Sequence, residues 1–212
     1  MVRKCTWVLG LVAVSAVAIA VLPIAGAGIT GSAHDFSSDS WSGGEICAPC
    51  HTPHNADISA DAAGAPLWNH EVTSTTFTLY SSGTLDASVG QPAGASKLCL
   101  SCHDGSVALD SFGGATGTTN ISGSADLGTD LNAHHPISFT YNTALATADG
   151  ELEDPSTANS GLGSTIDADL LFSGSLECAS CHDVHDTVST GNENLLVIDN
   201  AGSALCLTCH QK

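Results

Sequence analysis

The sequence predicts mostly irregular loops with short helical turns and few short strands, wrapped around bound groups rather than closed over a core of its own. Three observations carry this expectation. Cys-x-x-Cys-His occurs four times in 212 residues: Cys47-Ala-Pro-Cys50-His51, Cys99-Leu-Ser-Cys102-His103, Cys178-Ala-Ser-Cys181-His182 and Cys206-Leu-Thr-Cys209-His210. Aromatic residues are only 5% of the chain, too few to fill several conventional cores. Helical periodicity is weak throughout, and stretches rich in Gly, Ser and Thr separate the short apolar runs.

Each motif closes a single helical turn. Two thiols at this spacing can add to the two vinyl groups of one haem, and the following His then coordinates the iron. Paired Cys-x-x-Cys units also serve zinc ribbons and redox dithiols. Neither needs a His in the next position four times over. The expectation is four covalently bound haem c groups, attached through Cys47, Cys50, Cys99, Cys102, Cys178, Cys181, Cys206 and Cys209. Their proximal iron ligands are His51, His103, His182 and His210. The fold class is thus a multihaem cytochrome c wrapped around a stack of four haems, with a stability that depends on haem loading.

Residues 1–27 read as a secretory signal peptide: Arg3 and Lys4, an apolar stretch over 7–22, then Ala25-Gly26-Ala27 as a small-x-small cleavage site. Cleavage as late as residue 33 is compatible. An uncleaved anchor is the rival, but the stretch is short for a span of about 20 residues. Cys5 leaves with the signal, so all eight remaining cysteines lie in haem motifs. Haem attachment of this type occurs outside the cytoplasm. The expected localisation is secreted, extracellular or at the outer cell surface, after periplasmic transit.

All 22 acidic residues follow residue 34, and cleavage leaves Lys97 and Lys212 as the basic ones, a formal charge of −20. Such a chain is a poor partner for nucleic acid, which needs clustered Lys and Arg. Cationic partners or polyvalent metal ions suit this surface, and so does simple solubility.

An internal duplication runs through the chain. The first and third motifs share the plan C-x-x-C-H-x-x-H, ending at His54 and His185; call them type A. The second and fourth, Leu98-Cys-Leu-Ser-Cys-His103 and Leu205-Cys-Leu-Thr-Cys-His210, are nearly identical; call them type B. The order A-B-A-B gives two haem-pair modules, 34–112 and 133–212, joined by a Gly/Ser/Thr-rich loop over 113–132. A second such loop is expected over 143–163, and short strands over 72–80, 137–141 and 195–198.

Six-coordinate iron needs distal ligands. Met1 is the only Met, so axial Met is excluded once the signal is removed. Lys97, Lys212, Tyr80 and Tyr141 could coordinate, but His is the commoner choice. Ten His less four proximal leaves six. Repeat logic selects His34, His54, His135 and His185 as distal ligands, with His70 in reserve and His134 read as a solvent-facing neighbour. His54 and His185 lie so close to a proximal His that each is expected to reach a neighbouring haem. Bis-His ligation leaves no open iron site and favours low potentials.

Beyond the haem signatures, Ala33-His34-Asp-Phe-Ser, Cys50-His51-Thr-Pro-His54-Asn-Ala, Pro66-Leu-Trp-Asn-His70, Lys97-Leu-Cys-Leu-Ser-Cys-His-Asp-Gly-Ser and His135-Pro-Ile-Ser-Phe resemble the OmcE-type tetrahaem outer-surface c-type cytochromes of metal-reducing bacteria, an extracellular cytochrome nanowire family. The resemblance covers essentially the whole mature chain. It implies a subunit that polymerises into a conductive filament passing electrons to metal oxides, electrodes or other cells. Implied partners are other copies of the chain, upstream periplasmic or outer-membrane cytochromes, and extracellular acceptors. By analogy within such filaments, one distal His crosses to the adjacent subunit, here His54. The alternatives are a monomeric periplasmic or secreted electron carrier, and a multihaem reductase. The reductase would want an open haem, an unusual proximal ligand and cationic residues, whereas all four proximal ligands are His, distal His is in surplus and the mature chain has two basic residues. The expectation is an electron carrier and no enzyme.

Overall fold

The computed structural model describes residues 28–59, 64–188 and 191–211. The expected signal peptide, residues 1–27, lies outside the described residues. Turns, bends and unpaired extended segments make up most of the fold. The regular elements are α1 (Gly94–His103), β1 (Phe139–Thr140), α2 (Thr143–Asp149), α3 (Ile166–Leu170), β2 (Ser175–Leu176) and α4 (Ala204–Cys209), with short 3-10 turns between them. β1 and β2 pair antiparallel, Phe139 opposite Leu176 and Thr140 opposite Ser175.

The strand expected over 72–80 is extended but pairs only through Thr78, which bridges Asp130. Side chains take up three of its donors. The Thr73 N–H donates to Ser101 Oγ at 3.0 Å, the Thr75 N–H to Thr73 Oγ1 at 3.1 Å and the Phe77 N–H to Gln91 Oε1 at 2.8 Å. Bonds to side chains here take the place of a ladder. Over 195–198, a 3-10 turn ends at Leu195 and only Leu196 bridges, to His182.

The loop expected over 143–163 contains α2. Asn142 caps it, its side chain accepting from the Leu145 N–H at 3.0 Å, and Gly150 ends it with φ +75°. Ala and Leu between those caps are good helix formers. Thr165 caps α3 in the same manner through the Ala168 N–H.

One larger polypeptide core exists after all. Phe139, Tyr141, Ala146, Ile166, Leu170, Leu171, Leu176 and Val197 bury together. Among the described residues, the first half holds a Trp68–Leu98 pair, and a further cluster joins its Phe77 and Leu100 to Leu131. Tyr141 anchors the larger core at 2% exposure, its hydroxyl donating to the Glu153 carbonyl at 2.6 Å. Tyr141→Phe strands that carbonyl and should cost about 1–3 kcal/mol, read as a lower thermal midpoint with no change in the visible spectrum. Burial raises the Tyr141 pKa above the usual phenol value, so the stability it supplies is complete below about pH 10 and is lost as pH climbs past it.

Candidate haem-binding site

The four motifs share a backbone device. In three of them the proximal His N–H donates to the first Cys carbonyl: His51 to Cys47 at 2.8 Å, His182 to Cys178 at 3.0 Å and His210 to Cys206 at 3.0 Å. The other lies within α1. The type B motifs sit on α-helices, and the type A motifs on tighter turns. The single helical turn expected for each motif therefore becomes a longer helix at α1 and α4.

Three of the four rings expected to be proximal are held in one common way. His51 Nδ1 lies 2.7 Å from the Pro66 carbonyl, His103 Nδ1 2.7 Å from that of Ala125, and His182 Nδ1 2.9 Å from that of Asn194. A carbonyl only accepts, so each Nδ1 carries the proton. The Nε2 lone pair is then free for iron, as in metal-bound His generally.

Three proximal rings face a second imidazole. Ring centroids are 6.0 Å apart for His34–His103, 6.1 Å for His51–His185 and 6.3 Å for His135–His210. Two imidazoles on one metal, each bonded at about 2 Å, have centroids about 6.3 Å apart. The spacing fits an iron between each pair. Among the described residues, His182 has no such ring partner, and neither has His54, which is exposed.

The motifs also lie in space in their chain order. Cys50 is close enough to Cys102 for its charge to raise the Cys102 thiol, which burial pushes up to about 12. Cys99 hydrogen-bonds to Cys178, and the Cys178 N–H donates to the buried Ser96 hydroxyl at 2.8 Å. Cys181 in turn lies near Cys206 and Cys209. Each inner motif thus turns one cysteine toward each neighbour.

The two type A motifs are built alike beyond what the sequence repeat displays. The Thr52 N–H donates to Leu67 O and the Asn69 N–H to Cys50 O; the Asp183 N–H donates to Leu195 O and the Val197 N–H to Cys181 O. Leu67 and Leu195 both take left-handed backbone, at φ +55° and +57°. Asn55 and Asp186, one residue past each tail His, do the same at +58° and +49°. Leucine rarely adopts this conformation, and no local signal announces it.

Other candidates are placed differently. His70 is buried, with Nδ1 2.8 Å from the Glu71 carbonyl and Nε2 3.0 Å from that of Ala108. Both nitrogens face acceptors, so in this arrangement neither lone pair is directed at a metal. His134, read from sequence as solvent-facing, is half-buried and lines a cavity of about 240 Å³ with Cys178, Cys181, His182 and several leucines. The buried Nδ1 of His34 has no hydrogen-bond partner, so no protein bond holds that ring.

Burial, with His103, His182 and His185 nearby, lowers the His34 pKa to about 4. Its neutral imidazole is thus ready to ligate at neutral pH. The sign follows from that shift: the stability tied to neutral His34 is complete above about pH 6.5 and is lost as pH falls toward 4. Iron would compete with the proton for this imidazole, so acid titration should convert part of the low-spin haem spectrum to high-spin only below that window.

A model of the doubled CXXCH motif family matches residues 172–212, which hold the third and fourth motifs. No curated protein matches the chain. The family match and the proximal-ligand geometry support a multihaem c-type cytochrome, with covalently bound haem c, working in electron transfer.

Proposed function

We propose that the chain binds four haems, each bis-His, and serves as a subunit of an extracellular electron-conducting filament. The observation that carries the electron path is the motif order: each motif's cysteines lie near those of the next, so attached haems would follow one another from residue 47 to residue 210. The haem supplies the one-electron chemistry when bound. The chain's own residues fix ring orientation through the Nδ1 carbonyl bonds. They attach the group covalently and cover its edges. Distal ligation is by His185, His34 and His135 for the first, second and fourth haems.

For the third haem the duplication suggests the ligand. Within the chain, the type A tail of the second module, His185, meets the type A His of the first, His51. Repeating that step one module onward puts the first-module tail of the next subunit, His54, on His182. Head-to-tail repetition of this contact is an open, heterologous assembly. The exposed His54 and Ile58, the latter 94% exposed, are consistent with that use. The partners are then other copies of the chain, upstream cytochromes and external acceptors. The localisation is the outer surface or beyond it. No dedicated substrate site is part of this reading.

A monomeric carrier is favoured by one observation, His134 in the cavity beside His182. It would close the third haem within the chain. Intact-mass measurement of the mature protein should show four haem additions. Cryo-electron microscopy of material shed from expressing cells should show filaments with an unbroken haem stack. Discrete particles with every distal His supplied in cis would leave the carrier.

A further inference from the structure

Among the described residues, the acidic side chains are exposed or half-buried, with two exceptions. Among the described residues, the buried carboxylates are Asp104, 4% exposed, and Glu177, 5% exposed. Both stand at the middle of the motif series. Asp104 directly follows proximal His103 and raises the Cys102 thiol through its charge. Glu177 directly precedes Cys178, and its charge reaches Cys99 as well.

Both carboxylates are held by donors. Asp104 accepts from the Thr73 hydroxyl at 2.6 Å and the Ser106 N–H at 2.7 Å. Glu177 accepts from the Ser138 hydroxyl at 2.9 Å and from the Ser180 N–H in a capping box. Neither outer motif has a buried carboxylate at either position, and the half-buried Glu153 acts on Cys209 of the fourth from outside the motif. At the twin of Asp104, after His210, stands the neutral and exposed Gln211, whose amide donates to the Leu152 carbonyl at 3.3 Å. His51 is followed by Thr52.

We propose that Asp104 and Glu177 are positioning residues for electron transfer that hold the second and third haems at lower reduction potentials than the first and fourth. Reduction adds one electron and breaks no bond, so the site's charge falls by one. A fixed negative charge away from water opposes that change, and opposes it more than a surface carboxylate does. Electrons then rest on the outer haems, and the inner pair is an uphill step between them. This rests on the electron-transfer reading above.

The test is a potentiometric titration of the haem-loaded protein, wild type against Asp104→Asn and Glu177→Gln, with Asp86→Asn as an exposed-carboxylate control. Both substitutions keep shape and an acceptor oxygen while removing charge. The expected result is a positive shift of the lowest-potential components in each variant, with the higher ones unmoved and the control unchanged. Curves that superimpose on wild type at full haem content overturn the proposal, even where the melting temperature falls. An equal shift in the control overturns it too, since net charge would then suffice. Loss of haem in one variant leaves the other to decide; loss in both assigns these side chains to assembly and overturns it. A wild type without haem would instead defeat the function itself.

Discussion

Replacing Cys47 and Cys50 by Ala should unfold the first half of the chain while the segment 137–198 stays protected. The reason is the uneven distribution of apolar burial. The first half buries a Trp68–Leu98 pair and two members of a three-residue cluster, whereas residues 139–197 hold eight buried side chains in one core. Around the first motif, residues 53–55 and 57–59 are exposed, and the local ties are the His51–Trp68 and Asp57–Trp68 bridges. Metal-coupled folding supplies on the order of 10 kcal/mol in small structural sites. That matches the total stability of a typical domain, about 5–15 kcal/mol. Loss of one haem is therefore enough to melt a segment with little else to hold it. Limited proteolysis read by mass spectrometry should show cuts before residue 112 and a resistant fragment over 137–198. Uniform resistance would mean that the polypeptide alone supports the first module. Replacing Cys206 and Cys209 makes the converse comparison. α4 buries no residue, yet the Glu153 N–H donates to Cys209 O, and Leu205 and Cys209 pack on the larger core. Damage there should stay local to the last turn.

Much of the site was open to reading because its chemistry is local. Five residues define a haem attachment, and the spacing alone names the two cysteines and the proximal His. The Nδ1 carbonyl bonds were not legible, since Pro66, Ala125 and Asn194 lie far along the chain and any residue has a carbonyl. Distal pairing is likewise a long-range property. The repeat nominated His34, His135 and His185, but only the fold brings them to His103, His210 and His51. His134 was set aside beside His135, although the fold lines one cavity with both of them. The helix α2 was legible and overlooked: Asn142 and Gly150 are its caps, hidden in a composition that reads as loop. The left-handed leucines emerge only when the two type A loops, unequal in length, are laid over one another. Asp104 and Glu177 carried no sequence signal, because burial, not identity, separates them from the nineteen other acidic residues the structure describes.

His54→Ala should abolish filament growth while leaving the subunit folded and three haems low-spin. His54 is exposed, so its removal leaves no cavity in the subunit. In a filament the same side chain would be an axial ligand buried at the subunit boundary. Truncation of such an anchor costs on the order of 4 kcal/mol, about a thousandfold in subunit affinity. Growth would stop at any ordinary protein concentration. The haem on His182 would lose its sixth ligand and take water, adding one high-spin signal in four. His134→Ala is the paired variant. If His134 closes that haem within the chain, its loss produces the high-spin signal and His54→Ala does nothing. The two substitutions therefore exchange outcomes between filament and carrier, and electron paramagnetic resonance with negative-stain microscopy reads both. Filaments that persist in His54→Ala with all haems low-spin would remove His54 from the iron and take the module-by-module repetition with it.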